Sequence, residues 1–102
     1  MEIIWTSFAI ENLKAIFDFY AIKASNKVAH NIRRQILQTT KQLINHPNSG
    51  QIELHLEKLD QEYRYVLSGN YKIIYKIKET QIIIIDIFDA RQNPDKMIAE
   101  KT

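Results

Sequence analysis

The residues best able to do chemistry lie between Tyr63 and Arg91. Tyr63, Tyr65, Lys72, Lys76 and Arg91 combine flat aromatic rings with cations, a pairing suited to stacking on bases and neutralising phosphates. The same residue types also keep a half-exposed sheet soluble while tyrosines pair across strands. Of the three histidines, His30, His46 and His55, only His55 is placed to reach this stretch. None has metal-ligand spacing and the chain has no cysteine, which argues against zinc and excludes thiol chemistry and disulfides. Only two glycines occur, Gly50 and Gly69, so there is no glycine-rich phosphate loop. No nucleophile elbow or paired-carboxylate motif is present, and no cofactor is expected.

These side chains need a sheet to hold them. Three runs rich in β-branched and aromatic residues, Tyr63 to Ile77 with a break at Gly69-Asn70 and then Gln81 to Phe88, read as neighbouring antiparallel strands. Gly69-Asn70 is a two-residue hairpin signal, and Glu79-Thr80 makes a second short break. With those turns Ser68 pairs with Tyr71, Leu67 with Lys72 and Tyr65 with Ile74. Side chains alternate along a strand, so one face carries Arg64, Val66, Tyr71, Ile73, Tyr75, Ile77, Ile82, Ile84 and Asp86. The other carries Tyr63, Tyr65, Leu67, Lys72, Ile74, Lys76, Ile83, Ile85 and Ile87, and continued alternation adds Arg91. The first face is the more apolar and is expected to be covered; the second is expected to stay open. A guanidinium on the covered face needs a carboxylate, so Arg64 and Asp86 are expected to form a structural pair.

The cover comes from the first half of the chain. Glu2 to Thr6 is β-prone, a peripheral strand. Thr6 or Ser7 can cap a helix whose stripe is Ala9, Leu13, Ile16, Phe17 and Tyr20. Ser25-Asn26 offers a second cap, and Val28, Ala29, Ile32, Ile36, Leu37, Leu43 and Ile44 form one face of a helix over Asn26 to Asn45. His46-Pro47-Asn48-Ser49-Gly50 stops it. The short connection predicts an antiparallel helical hairpin. Gln51 to Leu59 is either a strand or a bridging segment. In the polar tail Asn93-Pro94-Asp95 can begin a last short helix. The fold class is therefore α+β, with an N-terminal strand and a helical hairpin packed on one face of a mostly antiparallel sheet.

At 102 residues, 45% hydrophobic and 25% charged, the chain reads as one domain spanning 1–102 with enough material for a single core. A net charge of +2 permits an acidic partner without requiring one. The N-terminus lacks a signal-peptide pattern and no apolar run approaches the roughly 20 residues that span a bilayer, so a cytoplasmic setting without membrane attachment is expected.

Tyr63-Arg64-Tyr65-Val66-Leu67-Ser68-Gly69-Asn70-Tyr71-Lys72-Ile73-Ile74-Tyr75 resembles the sheet signature of the RelE/ParE superfamily of bacterial toxins. Ile87-Phe88-Asp89-Ala90-Arg91-Gln92-Asn93-Pro94 resembles its C-terminal signature, and Ile4-Trp5-Thr6 and the spacing from Ser25 through Leu43 to Pro47 and Gly50 are also similar to it. The resemblance implies the toxin half of a type II toxin–antitoxin pair, a helical hairpin on an antiparallel sheet, and a cognate antitoxin that wraps and neutralises it in a hetero-oligomer. It implies one of two targets, DNA gyrase for ParE-type members or messenger RNA on the ribosome for RelE-type members. Lys72 and Arg91 occupy places where RelE-type nucleases carry functional arginines, while Tyr63 and Tyr65 stand where RelE carries lysines. Relatives that use a C-terminal His or Tyr as general acid find no equivalent among Arg91, Gln92 and Asn93. If the chain is a nuclease, Lys72 and Arg91 stabilise the phosphorane, and His55 or Glu57 must move the proton. That departure favours a ParE-like toxin that inhibits by binding, with a nuclease or an inert, antitoxin-binding homologue as the alternatives.

Overall fold

Thr6 sets the first junction of the fold. Its side chain caps the helix that follows by accepting the Ala9 N–H at 3.1 Å, and the same hydroxyl donates to the Ile84 carbonyl at 3.0 Å. One residue thus starts a helix and ties it to the sheet. The computed structural model describes residues 1–59 and 61–97. Its elements are strand β1 (Glu2–Trp5), helix α1 (Ser7–Lys23), helix α2 (Asn26–Gln42) and strand β2 (Gln51–Ile52), then a 3-10 turn (Leu54–Leu56). Strands β3 (Arg64–Ser68), β4 (Tyr71–Lys78) and β5 (Gln81–Asp89) follow, and a second 3-10 turn (Pro94–Lys96) comes last.

The five strands form one sheet in the order β1-β5-β4-β3-β2. All neighbours are antiparallel except β1, which lies parallel to β5 with Ile3 opposite Ile82. The hairpin register is the expected one: Ser68 faces Tyr71, Leu67 faces Lys72 and Tyr65 faces Ile74. Both two-residue turns open on a positive φ, +58° at Gly69 and +57° at Glu79. Glycine takes that conformation freely, whereas a glutamate carries a Cβ into it at about 1 kcal/mol. Ser25 caps α2 as expected, accepting the Val28 N–H at 3.2 Å.

Helices α1 and α2 cover one face of the sheet. Ala9, Ile36 and Leu43 pack there with Tyr71, Ile73, Tyr75, Ile82, Ile84 and Ile87. Tyr75 is fully buried, and its hydroxyl holds the loop after α2, donating to the Pro47 carbonyl at 2.7 Å and accepting the Gly50 N–H at 3.0 Å. Gly50 sits so close to this ring that a Cβ there would collide with the phenol oxygen.

Two expectations about the sheet require correction. The first is the alternation along β5. Ile74 faces Asp86 but the next residue, Tyr75, faces Ile84, so Ile85 is an extra residue in a β-bulge. The bulge shifts the parity of everything after it. Ile87 therefore joins the helix-covered core, and Phe88 turns to the opposite face. The second is the open face. Leu56, Tyr63, Ile74, Phe88 and Met97 form a second buried cluster, with Phe8, Leu59, Tyr65 and Ile85 packed against it. The segment after β2 and the residues around the last 3-10 turn close over much of that face. Gln51 to Leu59 is thus a two-residue strand followed by a cover, because the chain leaves the sheet edge after Ile52 and buries Leu56 beneath it.

Candidate functional site

Lys72 leaves β4 on the second face and meets its own chain. Its ammonium donates to Glu53 Oε1 at 2.6 Å and stands 4.2 Å from the centre of the Tyr65 ring. Glu53 is 2% exposed and Lys72 is 18% exposed, so this ion pair is largely sheltered from water. The backbone holds Glu53 in place: its N–H donates to the Tyr63 carbonyl at 2.8 Å. The other carboxylate oxygen, Oε2, accepts the His55 N–H at 3.2 Å and lies 3.3 Å from His55 Nδ1. Lys72, Glu53, His55 and Tyr65 therefore make one cluster, with the half-exposed His55 ring at its outer edge. The Tyr65 hydroxyl donates to Gln51 Oε1 at 3.0 Å. Tyr63 is buried in the second cluster, and burial raises its hydroxyl pKa above the ordinary value. Lys76, four residues further along β4 on the same face, donates to Gln61 Oε1 at 2.6 Å.

Arg91 lies elsewhere. After the bulge and the turn at Ala90 it forms a two-pronged ion pair with Asp89, Nε to Oδ1 at 2.9 Å and Nη2 to Oδ2 at 2.8 Å. Its hydrogen bonds to Asp89 and then to Tyr20 raise the guanidinium pKa still further, and the same partner holds the Asp89 carboxyl below the usual carboxylate range. Tyr71, opposite Asp89, donates to the Tyr20 hydroxyl at 3.1 Å. Burial is the first cause of the Tyr71 hydroxyl's strongly raised pKa, and Tyr20 is the next. Arg91 thus belongs to the α1 side of the sheet and does not share a surface with Lys72 and Lys76.

The expected pairing of Arg64 with Asp86 is also corrected. Arg64 lies along the sheet edge, with Nε 3.0 Å from Glu62 Oε2 and Nη1 2.8 Å from the Gly50 carbonyl. Asp86 is 2% exposed and accepts the Asn12 side-chain N–H at 2.6 Å. Burial raises its pKa above the ordinary carboxylate value, opposed by the Asn12 and Ile87 N–H donors. It lines a cavity of about 410 Å³ between α1 and the end of β5, whose walls include Phe8, Ile16, Phe19, Tyr71 and Phe88.

Glu53 and Asn12 are the residues that sequence reasoning missed. Glu53 sits in an alternating apolar–polar run, which reads as an outward side chain on a strand. Asn12 falls on the polar side of the α1 stripe. Asp89 carried a local signal, an aspartate two residues before an arginine at a strand end, where Asp side chains commonly close turns. Among the described residues no group of three His, Asp or Glu could hold a metal ion, and no helix is long and apolar enough to cross a membrane.

As chemistry, the cluster offers a lysine already neutralised by a buried glutamate and one surface histidine backed by that glutamate. Lys72, Arg64 and Arg91 are each paired with a carboxylate of this chain, while Lys76 meets the neutral Gln61 amide.

A helical hairpin laid on a mixed, mostly antiparallel sheet and edged by a parallel N-terminal strand is an architecture found among toxins of bacterial toxin–antitoxin pairs. The chain matches the sequence profile described as "ParE toxin of type II toxin-antitoxin system, parDE" over residues 3–94, and it belongs to that family. A solved structure, the chromosomal ParDE TA system from P. aeruginosa, superposes with a TM-score of 0.74 at 22% sequence identity, covering 87% of this chain and 95% of that one. At that identity the likeness is one of fold. No curated protein matches the chain.

Proposed function

We propose that this ParE-family toxin, a cytoplasmic domain spanning 1–102, arrests growth by binding DNA gyrase and is held inactive by a cognate antitoxin. The observation that carries this reading is the internal neutralisation of three cations around the sheet. Lys72 is closed onto Glu53, Arg91 onto Asp89 and Arg64 onto Glu62. A ribonuclease of the RelE type needs free cations around a scissile phosphate and a side chain that moves a proton near neutral pH. Here Lys72 and Arg91 are engaged and on different faces. The binding surface we assign comprises Tyr65, Lys72 and Lys76 with the edge of Tyr63, and Arg91 contributes from the α1 side.

A second reading rests on one observation, the Lys72–Glu53–His55 cluster. A buried carboxylate behind an exposed imidazole can orient that ring for proton transfer. In that reading His55 is the acid–base residue and Lys72 binds the phosphate once Glu53 releases it.

Induction of the chain without its antitoxin, with growth, RNA ends and DNA breaks scored together, separates the readings. A gyrase poison gives DNA breaks and an SOS response with messages intact, and the purified chain inhibits supercoiling by gyrase. Codon-linked cuts in translated messages, abolished by His55→Ala, would instead establish the nuclease. Normal growth on induction would overturn both and leave an antitoxin-binding homologue. Restoration of growth by a co-expressed antitoxin checks the neutralisation.

A further inference from the structure

Helix α2 carries a charge pattern that the toxin reading leaves unused. No aspartate or glutamate occurs between Asp18 and Glu53, while Lys23, Lys27, Arg33, Arg34 and Lys41 all fall in that span. The whole chain is only +2, so the remainder is net negative and the basic residues are segregated. These five cations are exposed, and among the described residues none has a carboxylate within ion-pair distance. Helix α1 beside them carries both signs, Glu11 and Asp18 with Lys14 and Lys23, so the excess belongs to α2. Lys27, Arg34 and Lys41 stand seven residues apart, about two helical turns, and so form one row facing away from the buried Ala29 and Ile36. Asn31 and Gln38 lie between them on the same side. Arg33 flanks the row, with its guanidinium 4.9 Å from the centre of the Phe17 ring and Nη2 3.1 Å from His30 Nδ1. Those partners orient it without a countercharge.

We propose that the outer face of α2 binds the phosphate backbone of duplex DNA and holds the toxin against the DNA on which gyrase works. The second half of that statement rests on the gyrase reading. A row of cations with no carboxylate among them selects a polyanion. A membrane surface is a poor fit, because the apolar stripe of α2 is packed against the sheet and has nothing to insert. A protein partner needs an aromatic anchor at the centre of the contact, and α2 contains no Trp, Tyr or Phe. Spacing favours DNA over RNA. Seven residues of helix rise about 10 Å, close to the width of about 12 Å of the B-DNA major groove, so successive cations reach phosphates on opposite rims. In A-form RNA that groove is deep and narrow, and its rims do not match the step. Helix α2 covers the side of the sheet opposite the Lys72–Glu53–His55 cluster, so DNA and a protein target can be engaged together.

The test uses the purified full chain and fluorescein-labelled duplexes of about 20 base pairs in two unrelated sequences, with anisotropy read from about 50 to 200 mM salt. The expected result is micromolar binding, equal for both sequences, with log K falling against log salt at a slope of about −3 to −4. Lys27→Gln combined with Arg34→Gln and Lys41→Gln should flatten that slope by about 2.7 and weaken binding about tenfold or more. Its melting temperature should not change, because all three side chains are exposed. A control that removes the same charge elsewhere, Lys14→Gln with Lys78→Gln and Lys96→Gln, should bind within about twofold of the native chain. The matching RNA duplex should bind about threefold more weakly. No binding by the native chain, a clear sequence preference, an equal loss in the control, or RNA bound as tightly as DNA would overturn the site. Against gyrase, about tenfold more of the triple variant should be needed to block supercoiling; an equal requirement would overturn the role of this face in holding the toxin on gyrase's DNA. If the native chain does not inhibit gyrase, the gyrase reading falls, and the anisotropy titration still decides whether α2 binds DNA.

Discussion

Lys72 shows why a single substitution on this sheet is a poor test of activity. Removing its ammonium leaves the buried Glu53 without its lysine, with only His55 beside the other carboxylate oxygen, at about 3 kcal/mol. Lys72→Ala is therefore expected to lower the denaturation midpoint markedly, whereas Lys72→Met combined with Glu53→Gln recovers most of the loss, as chemical denaturation of both variants will show. Only the double variant separates the role of the charge from the integrity of the fold. Tyr75→Phe deletes the hydroxyl that bridges Pro47 and Gly50. It should cost about 1–3 kcal/mol because the Gly50 N–H is left buried without an acceptor, and a Gly50→Ala chain should be destabilised through collision with the same ring. Asp86 and Asp89 respond to pH in opposite directions. The Asp86 carboxyl has a raised pKa from burial, so the folded state binds its proton more tightly than the unfolded chain does. Its contribution falls as pH rises from the ordinary carboxylate value through the raised one, and Asp86→Asn should raise the melting temperature at neutral pH with the gain vanishing in acid. Asp89 is lowered by Arg91, so its stabilisation is complete above the ordinary carboxylate value and is lost as pH falls through the lowered one.

At the scale of the element, the bulge in β5 governs which side chains reach which surface. Deleting Ile85 would remove the bulge while keeping Asp86 opposite Ile74 and Ile87 opposite Ile73, so Ile87 would hold its place in the helix-side core and Arg91 its place on the α1 side. We expect that variant to keep a cooperative transition and its near-UV circular dichroism signal, at a lower midpoint from the lost Ile85 contacts in the second cluster. The β3–β4 hairpin was fully legible from sequence because Gly69-Asn70 fixes a turn, and a turn fixes a register. The bulge was not legible, since Ile82 to Ile85 is a run of four isoleucines. With identical neighbours nothing marks which residue is the extra one. The same blindness misplaced Arg91, whose face was counted across that run. Glu53 was missed for a related reason: alternation in Ile52-Glu53-Leu54-His55 predicts a strand, but β2 stops at Ile52 and the chain folds back over the sheet. The helices were legible through their cap signals, Thr6 or Ser7 and Ser25-Asn26, of which Thr6 and Ser25 serve, and through stripes packed inward at Ala9, Leu13, Ala29 and Ile36, although α2 ends at Gln42 rather than Asn45. Val28, Leu37 and Ile44, read into the α2 stripe, stay partly in solvent.

For the whole molecule, the family and the architecture follow from signatures spread along the chain, while the target does not, because docking surfaces carry no motif as compact as a catalytic one. The two apolar clusters lie on opposite faces of a single sheet, so a partner held on the helices and one engaging the β3–β4 face need not compete for space. Strand β1 adds a constraint on timing. It precedes both helices in the chain, and among the described residues its sheet neighbour is β5, the last of the five strands. Glu2 waits for Gln81, and α1 rests on the same late strand through Thr6 and Ile84. Contacts so distant in sequence form slowly and late. A nascent chain halted anywhere before Asp89 therefore lacks the closed sheet, and interrupted translation yields fragments that carry no finished toxin.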